Sequence, residues 1–453
     1  MLRRKTDNKL RDFLLGDKRA LLVTGARQVG KTFSIRHVAK ECFDNVVEIN
    51  FIERPEAVAL FREAKGAKDL LMRLSALLHK TLVPGKTLIF FDEVQACSEI
   101  VTAIKFLVDE GSYKYVMSGS LLGVELKDLR SVPVGYMDVM EMFPLTLAEF
   151  FEAIGIGSGI TDNLRDCFEN NRPVDDFVHQ RMMDAVMLYL IVGGMPAAVQ
   201  KYIDTNNLKK VLDEQRGIIR TYKMDITKYD PNRKLLIEEI YDLIPSELNA
   251  KNKRFILKEI NQKARFSKYE DSFMWLKDAG VAIPTYTVEE PRMPLLLNKQ
   301  RNLFKLFLSD VGLLAAMYGG NIQTRLLSND QNINFGAVYE NLVAQELFAH
   351  GFAVEHSLYY FNSKRQGELD FVLEYDNNIL PIEVKSGKDY ERHNALANVL
   401  DDSEYDIPSA YVFCQGNVLT KGKITYFPIY MVAFLEHSEP DERIYKFDLT
   451  GLK

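Results

Sequence analysis

The residues best suited to chemistry lie near the N-terminus, in the segment Gly25-Ala26-Arg27-Gln28-Val29-Gly30-Lys31-Thr32. This segment fits the pattern G-x-x-x-x-G-K-[ST], in which a glycine-bracketed loop aims several backbone N–H groups at a phosphate. We therefore expect Lys31 to reach the β- and γ-phosphates of ATP and the Thr32 hydroxyl to bind Mg²⁺. An ordinary glycine turn is the alternative for so short a pattern.

The elements around this loop favour the phosphate interpretation. Residues 20–24 are apolar and predict a short buried strand before the loop. After Lys31, the apolar residues Ile35, Val38 and Ala39 recur at helical spacing. A phosphate held by the loop would therefore lie at the N-terminus of a helix.

A second acidic landmark follows in Thr87-Leu88-Ile89-Phe90-Phe91-Asp92-Glu93. Four apolar residues that end in two carboxylates predict a buried parallel strand with acids at its carboxyl end, where open α/β sheets bind ligands. Asp92 is expected to hold Mg²⁺ and Glu93 to polarise the attacking water. A strand that ends in two acids by chance is the alternative.

A strand predicted at Val46–Phe51 lies between the loop and Asp92 in sequence, and Glu93 directly follows the metal acid. These features resemble the P-loop ATPases of the AAA+ class. A further strand, Tyr113–Met117, ends in Ser118-Gly119-Ser120. The resemblance implies that Ser118 contacts the γ-phosphate or the water, and a turn formed by Ser-Gly-Ser is an equal alternative.

The order of the motifs resembles a more specific family. The loop and Phe-Phe-Asp-Glu-Val-Gln are followed by Ser-Gly-Ser, by Met142-Phe143-Pro144-Leu145-Thr146-Leu147-Ala148-Glu149-Phe150, and by Gly193-Gly194-Met195-Pro196. This order is similar to that of prokaryotic AAA-type ATPases that carry a C-terminal domain of unknown function (DUF4143). The resemblance covers essentially the whole chain.

One departure from the family concerns a trans-acting arginine. Members usually carry a Gly-Arg pair before the Pro-Leu segment, whereas this chain reads Val134-Gly135-Tyr136, with Arg130 nearby. Loss of such an arginine typically slows hydrolysis by roughly 10³- to 10⁵-fold. The departure predicts slow turnover or switch-like ATP binding.

The bulk composition limits the remaining possibilities. A chain of 453 residues is too long for one core, and contents of 47% hydrophobic and 26% charged residues are typical of a globular protein. The basic N-terminus lacks the apolar segment of a signal peptide, and the most apolar window, Ala185–Met195, is too short to span a bilayer. We expect a cytoplasmic protein with no membrane partner. The scattered cysteines predict reduced thiols and no metal site: Cys42, Cys97, Cys167 and Cys414.

The charge is distributed unevenly along the chain. Residues 180–330 carry 23 Lys and Arg against 18 Asp and Glu, whereas residues 331–453 carry 10 against 19. The middle is therefore the better candidate for binding DNA or RNA. Solvated helix faces without a ligand explain the same charge.

The middle region reads as short helices followed by an extended segment. Gly155–Gly159 predicts a linker, and helices are predicted at Leu235–Ile244, Phe255–Lys263 and Lys268–Ala279, before the extended segment Val281–Val288. This order suggests a winged helix. If it binds DNA, the helix with Lys268, Tyr269 and Lys277 would enter the major groove; a protein contact or lid is the alternative.

The C-terminal region carries a predicted hairpin with facing carboxylates. Strands are predicted at 367–373 and 379–385, and Asp376-Asn377 supplies the two-residue turn. Antiparallel pairing then places Asp370 opposite Glu383, with Lys385 on the same face. A divalent cation would relieve the repulsion between the two carboxylates.

This hairpin resembles the PD-(D/E)xK nuclease fold. The resemblance implies that Asp370, Glu383 and Glu340, from a helix predicted at 337–347, bind metal, and that Lys385 orients water or stabilises transition-state charge. The proline before the acid is absent, because Leu369 precedes Asp370. A salt-bridge cluster on an inactive descendant is the alternative, and the acidic balance of the region favours it.

The sequence thus predicts an α/β protein with a P-loop parallel sheet at 1–155, a helical and winged-helix region at 156–325 and a restriction-endonuclease-like α/β domain at 326–453. It predicts an ATPase whose nucleotide state gates the action of the C-terminal domain on nucleic acid. A nucleotide-dependent protein-interaction switch is the alternative. A motor would require a homo-oligomeric ring, and the missing Gly-Arg pair argues against it.

Overall fold

The computed structural model describes residues 2–119, 135–229, 234–250, 266–319, 325, 335–353 and 357–437. In these ranges the chain forms three β-sheets, with helices packed on and between them. The predicted helix at Phe255–Lys263 and the candidate Arg130 lie outside the described residues.

The first sheet is parallel and has five strands in the order β2-β3-β4-β1-β5. Its strands are β1 Ala20–Thr24, β2 Asn45–Asn50, β3 Thr87–Asp92, β4 Lys114–Ser118 and β5 Met137–Glu141. Its helices are α1 Lys5–Gly16, α2 Lys31–Cys42, α3 Glu56–Glu63, α4 Ala67–Leu78 and α5 Glu99–Glu110. The predicted strand, loop and helix around Lys31 are confirmed. Because β4 lies between β1 and β3, the carboxyl ends of these three strands meet at one edge.

A helical region follows the first sheet. Its helices are α6 Leu147–Ala153, α7 Ser158–Glu169, α8 Asp176–Val192, α9 Pro196–Thr205, α10 Leu208–Tyr229, α11 Lys234–Asn249 and α12 Phe266–Asp278. The predicted linker is a tight connection between α6 and α7. Between α8 and α9 the chain passes so close to the segment before α6 that a Cβ on Gly194 would lie 2.1 Å from the carbonyl oxygen of Leu145. Glycine is therefore required at this crossing.

The predicted wing is a central strand instead. Strand β6, Ala282–Val288, pairs antiparallel with β7, Lys299–Leu308, and parallel with β8, Leu358–Ser363. Together with β9, Gly367–Leu369, they form a four-stranded sheet in the order β7-β6-β8-β9. All seven residues of β6 are buried, and the strand has neighbours on both edges.

The third sheet has five strands in the order β10-β11-β12-β14-β13. Its strands are β10 Phe371–Tyr375, β11 Asn378–Val384, β12 Ala410–Cys414, β13 Leu419–Lys421 and β14 Ile424–Pro428. The remaining helices are α13 Val311–Met317, α14 Phe335–Ala349 and α15 Asn394–Leu400. Helix α14 is buried on all of its faces, and apolar residues accordingly occur around its whole circumference.

The larger hydrophobic core draws on residues from most of the described chain. A single cluster of buried side chains includes Leu10, Val199, Phe307 and Ile382, so all three predicted ranges contribute to it. A second cluster packs α3, α4 and α5 on the other face of the first sheet. The boundaries at 155 and 325 stay predictions.

Among the helices described, no single one has the length and hydropathy needed to cross a bilayer; α8 and α9 reach them only as a pair, with a bend of 119° between them.

Candidate functional site

The phosphate loop connects β1 to α2 with an unusual backbone. Gly25, Gln28 and Gly30 all have positive φ, at 128°, 67° and 100°. A Cβ on Gly25 would lie 2.1 Å from the carbonyl oxygen of Met142, so this position excludes every larger residue unless the backbone shifts. The loop is therefore held against the segment that follows β5.

Lys31 reaches back across this loop. Its Nζ donates hydrogen bonds of 2.8 Å to the carbonyl oxygens of Gly25 and Ala26. Burial lowers the pKa of Lys31 to about 8, although the carboxylates of Glu93 and Asp92 act in the opposite direction. A bound polyanion would favour the charged ammonium, so the residue is suited to a phosphate ligand.

Asp92 lies at the centre of the polar network beside Lys31. Thr32 Oγ1 donates to its two carboxylate oxygens at 3.3 Å each, and Asn50 Nδ2 donates to Oδ2 at 3.2 Å. Ser118 Oγ donates to Oδ1. The hydroxyl of Thr32 and the carboxylate of Asp92 are thus adjacent, as joint Mg²⁺ ligands must be.

Two of these donors, Ser118 and Asn50, have contacts that the sequence did not predict. Ser118 is fully buried and bonds to Asp92, so in this arrangement it positions the carboxylate; its predicted contact with phosphate or water stays a prediction. Asn50 was missed. The available signal was its place as the last residue of β2, directly beside Asp92 in the sheet.

Glu93 follows β3 in a strained conformation. Its φ of 56° is rare for a residue with a long side chain, and such outliers occur preferentially at functional sites. Its carboxylate accepts a hydrogen bond from Gln95 Nε2. Glu93 lines the cavity at the edge of the sheet.

That cavity has a volume of about 320 Å³. Its lining combines cationic and acidic groups with the phosphate loop: Arg27, Gln28, Gly30, Lys31, Thr32, Phe33, Arg36, Asp92, Glu93 and Gly119. Cations for a phosphate chain and carboxylates for a metal therefore face one space, and these residues fit ATP with Mg²⁺.

The predicted DNA-reading helix corresponds to α12, but Tyr269 is only 3% exposed. Lys277 lines a small cavity together with Ala26 of the phosphate loop. The expectation that Tyr269 enters a major groove is therefore wrong, because the side chain packs into the core.

The C-terminal hairpin has the predicted register. Phe371 pairs with Ile382 and Tyr375 with Asn378, so Asp376 and Asn377 form the loop. Their φ values of 48° and 58° match the two-residue turn with both residues left-handed. Asp370 and Glu383 are the next positions beyond the Phe371–Ile382 pair. The predicted single strand at 367–373 is wrong, because residues 367–369 form β9, which pairs with β8 in another sheet, and Asp370 lies between β9 and β10.

Around these carboxylates lies a group of charged side chains, which we call the C-terminal cluster: Lys305, Glu340, Glu368, Asp370, Glu383 and Lys385. Lys385 Nζ lies 3.2 Å from Glu383 Oε2, and the backbone N–H of Val384 donates to Asp370 Oδ2 at 2.9 Å. Burial, and then the charge of Asp370, raise the pKa of Glu383 well above its usual range. The four predicted residues are thus brought together, with Glu340, Asp370 and Lys385 lining a cavity of about 240 Å³.

Lys305 was missed by the sequence analysis. It is fully buried on β7, its Nζ lies 2.8 Å from Glu368 Oε1 and 4.0 Å from Glu340 Oε2, and it stands 4.7 Å from the centre of the Tyr360 ring. Burial acts to lower its pKa, but Glu340 and Glu368 outweigh burial and raise it. The available signal was a lysine within the otherwise apolar stretch Leu303–Leu308.

Lys305 and Lys385 neutralise part of the negative charge that a metal ion was expected to neutralise. In the part of the chain that the structure describes, no group of three or more His, Cys, Asp or Glu side chains is arranged to hold a metal ion. Metal binding by Glu340, Asp370 and Glu383 therefore stays a prediction.

Comparisons with known protein families divide the chain into three matches. Residues 17–151 match the AAA domain family AAA_14, residues 183–324 match a domain of unknown function (DUF8612), and residues 335–432 match a domain of unknown function (DUF4143). A search of the curated proteins finds no match.

Several solved structures are similar at low identity. The Walker-type ATPase of Pyrococcus abyssi is 13% identical, with 70% of this chain and 96% of that chain covered and a TM-score of 0.40. The ORC1 protein of Aeropyrum pernix in complex with DNA is 14% identical, with coverages of 73% and 93% and a TM-score of 0.32. RuvB of Thermotoga maritima is 14% identical, with coverages of 65% and 91% and a TM-score of 0.31.

The family matches agree with the geometry of the first sheet and its phosphate loop. Residues 17–151 therefore form a P-loop domain of the AAA type, and residues 335–432 are similar to the DUF4143 family.

Proposed function

We propose that this protein binds ATP with Mg²⁺ and hydrolyses it. The observation that carries the proposal is the convergence of Lys31, Thr32, Asp92 and Glu93 on one cavity at the carboxyl edge of a parallel sheet. An α-helix begins at Lys31, so its N-terminal N–H groups add to the positive field in which a phosphate would lie.

Each residue has a distinct role in this proposal. Lys31 binds the β- and γ-phosphates, and the loop N–H groups hold the phosphate chain in place. Thr32 and Asp92 would hold Mg²⁺, and the metal would supply neutralisation of charge on the phosphate oxygens. Asn50 and Ser118 fix the orientation of Asp92 through their hydrogen bonds. Glu93 orients the attacking water and accepts its proton.

Two substitutions test this assignment. Lys31→Ala should abolish nucleotide binding, measured by titration with a fluorescent ATP analogue, because the loop loses its phosphate cation. Glu93→Gln should retain binding and slow phosphate release, because it removes the proton acceptor only. Lys40→Ala, an exposed position on the same helix, is the matched control. Normal ATP binding by Lys31→Ala would overturn the site.

We further propose that nucleotide state gates the C-terminal domain in its action on, or binding to, DNA or RNA. The support is the C-terminal cluster, in which Asp370, Glu383 and Lys385 lie together with Glu340 beside them. Asp370, Glu383 and Glu340 would hold the metal, and Lys385 would stabilise charge on the phosphodiester.

Helix α14 supplies a direct physical connection for such gating. Glu346 Oε1 accepts a hydrogen bond of 2.8 Å from the backbone N–H of Leu147, at the first turn of α6. Glu340 lies six residues earlier on the same helix, about 9 Å along its axis. A shift of α6 relative to the first sheet would therefore move a side chain of the C-terminal cluster.

The second candidate is a nucleotide-dependent interaction switch whose C-terminal domain cuts nothing. The pairing of Lys305 and Lys385 with carboxylates favours it, because the cluster is partly neutralised without metal. The acidic balance of residues 331–453 would also repel a polyanion.

A cleavage assay separates these two candidates. The protein is incubated with plasmid and with single-stranded DNA and RNA in Mg²⁺ or Mn²⁺, with and without ATP, beside Glu383→Ala. Cleavage that is lost in this variant supports the nuclease. Equal cleavage by the variant rules out Asp370 and Glu383 as its site, and no cleavage by either protein favours the switch. Self-association of the protein is measured in the same samples, because a homo-oligomer is a further proposal.

We also propose that the protein acts in the cytoplasm.

A further inference from the structure

Arg27 joins the phosphate loop to the helical region. It is the third residue of the loop and lines the same cavity as Lys31, Thr32 and Asp92. Its guanidinium Nη1 donates a hydrogen bond to Asp225 on α10. The side chain of Asp225 is 5% exposed, whereas that of Arg27 is 31% exposed, so the arginine stands between a buried acid and the open cavity.

The same helix contacts the backbone of Arg27. The hydroxyl of Tyr222 donates to the carbonyl oxygen of Arg27 at 3.0 Å, and Tyr222 is buried. Near the other end of α10, Gln215 Nε2 donates to the carbonyl oxygens of Ile191 and Val192 at 2.8 and 3.0 Å. Helix α10 is thus fixed to the core at Gln215 and to the phosphate loop at Arg27.

The local charges favour an anionic ligand at Arg27. Arg27 and Lys31 line the same cavity, so two like charges repel each other within one space. A triphosphate would relieve this repulsion, and guanidinium groups form bidentate hydrogen bonds with phosphate. The guanidinium of Arg27 is therefore placed to pair either with Asp225 or with an anion in the cavity.

We propose that Arg27 is an arginine acting in cis on the terminal phosphate of ATP, and that its exchange between Asp225 and phosphate couples ATP occupancy to α10. The proposal rests on nucleotide binding at the phosphate loop. It assigns a role to an arginine within this chain, where the sequence has Gly135-Tyr136 at the position of the family's Gly-Arg pair. ADP lacks the terminal phosphate and leaves Arg27 paired with Asp225.

Linkage gives the coupling a definite sign. Because ATP binding breaks the pair with Asp225, weakening that pair must strengthen ATP binding by the same factor. Removal of the Arg27 guanidinium should weaken ATP binding and leave ADP binding nearly unchanged. A clamp that merely supports the loop would change the affinities for both nucleotides equally.

Nucleotide titrations on the full chain test the proposal, with Arg27→Ala, Arg27→Lys, Asp225→Asn and the double variant Arg27→Ala/Asp225→Asn. Arg27→Ala should weaken ATP binding at least about tenfold, the loss expected for a charge-assisted hydrogen bond, and change ADP binding less than about threefold. Arg27→Lys should fall between wild type and Arg27→Ala. Asp225→Asn should tighten ATP binding, and the double variant should match Arg27→Ala.

Hydrogen exchange supplies a readout independent of affinity. ATP, unlike ADP, should increase amide exchange in residues 218–226 of wild-type protein, and Arg27→Ala should remove this difference. Equal weakening of ATP and ADP in Arg27→Ala, or weaker ATP binding in Asp225→Asn, would overturn the proposal. If Lys31→Ala binds ATP normally, the proposed nucleotide site itself is wrong. If Lys31→Ala loses ATP binding but the Arg27 variants do not behave as expected, only the role of Arg27 is wrong.

Discussion

Arg4 and Glu149 form a buried ion pair, with Nε 3.2 Å from Oε1 and both side chains less than 10% exposed. Arg4 also donates to the carbonyl oxygens of Val29 and Phe143, at 2.9 and 2.6 Å. Glu149 in turn completes the capping box of α6 with Thr146. One arginine before α1 therefore joins the phosphate loop to the segment that contacts the C-terminal domain.

Arg4→Met should destabilise the protein by about 3–5 kcal/mol, because it leaves the Glu149 carboxylate buried without its cation. The free energy of unfolding in urea measures this loss. The matched control is Arg3→Ala, since the Arg3–Glu152 pair is exposed on both sides and should contribute within about 1 kcal/mol. Equal losses of unfolding free energy in Arg4→Met and Arg3→Ala would contradict the expectation that the buried pair contributes more than the exposed one.

Gly25→Ala should impair the phosphate loop through backbone geometry alone. The new methyl group would meet the Met142 carbonyl oxygen at 2.1 Å, at a φ of 128° that alanine rarely adopts. We expect at least about a tenfold loss of ATP affinity with lower stability. Gly16→Ala is the control, because open space surrounds that position and its effect should stay within about 0.5 kcal/mol.

Asn50→Ala should weaken the metal dependence of nucleotide binding by about 10- to 100-fold, since Asp92 loses the donor that orients it. The measurement compares ATP affinity across an Mg²⁺ titration with affinity in EDTA. Asn45→Ala, at the opposite end of the same strand, should leave the titration unchanged. An equal loss in EDTA would show that Asn50 shapes the loop rather than the metal site.

Stability should depend on pH through Glu346. Burial raises the pKa of Glu346 to about 8, from an ordinary value of 4.5, so the folded protein holds a proton that the unfolded chain releases. The resulting stabilisation is complete below about pH 4.5 and is lost as pH rises through 8. Relative to wild type, Glu346→Gln should gain roughly 1.4 kcal/mol per pH unit between pH 5 and 8. Urea unfolding at each pH measures this difference, and a constant difference would refute the assignment.

Local patterns predicted the parts of the site that depend on local structure. The glycine spacing around Lys31 predicted a strand, loop and helix, and these are confirmed. The turn at Asp376-Asn377 set the hairpin register, because a two-residue loop fixes which residues face each other. The carboxylates of Asp370 and Glu383 could therefore be placed together from sequence.

Features that depend on distant partners were not predictable in this way. Nothing near Arg4 indicates Glu149, and nothing near Lys305 indicates Glu340 and Glu368. The extended segment at 282–288 suggested a wing, since periodicity does not reveal how many neighbours a strand has. Tyr269 was misassigned for the same reason, because burial follows from packing across the chain.

The four-stranded sheet has a consequence for folding and for dissection of the protein. Strand β6 pairs with β7 in the middle region and with β8 of the C-terminal region, about 70 residues further along the chain. A fragment beginning at residue 326 would leave the edge of β8 open, and unpaired edges recruit other chains. Such a fragment should aggregate, and in the intact chain β8 completes its sheet only after this long loop has closed, which slows folding.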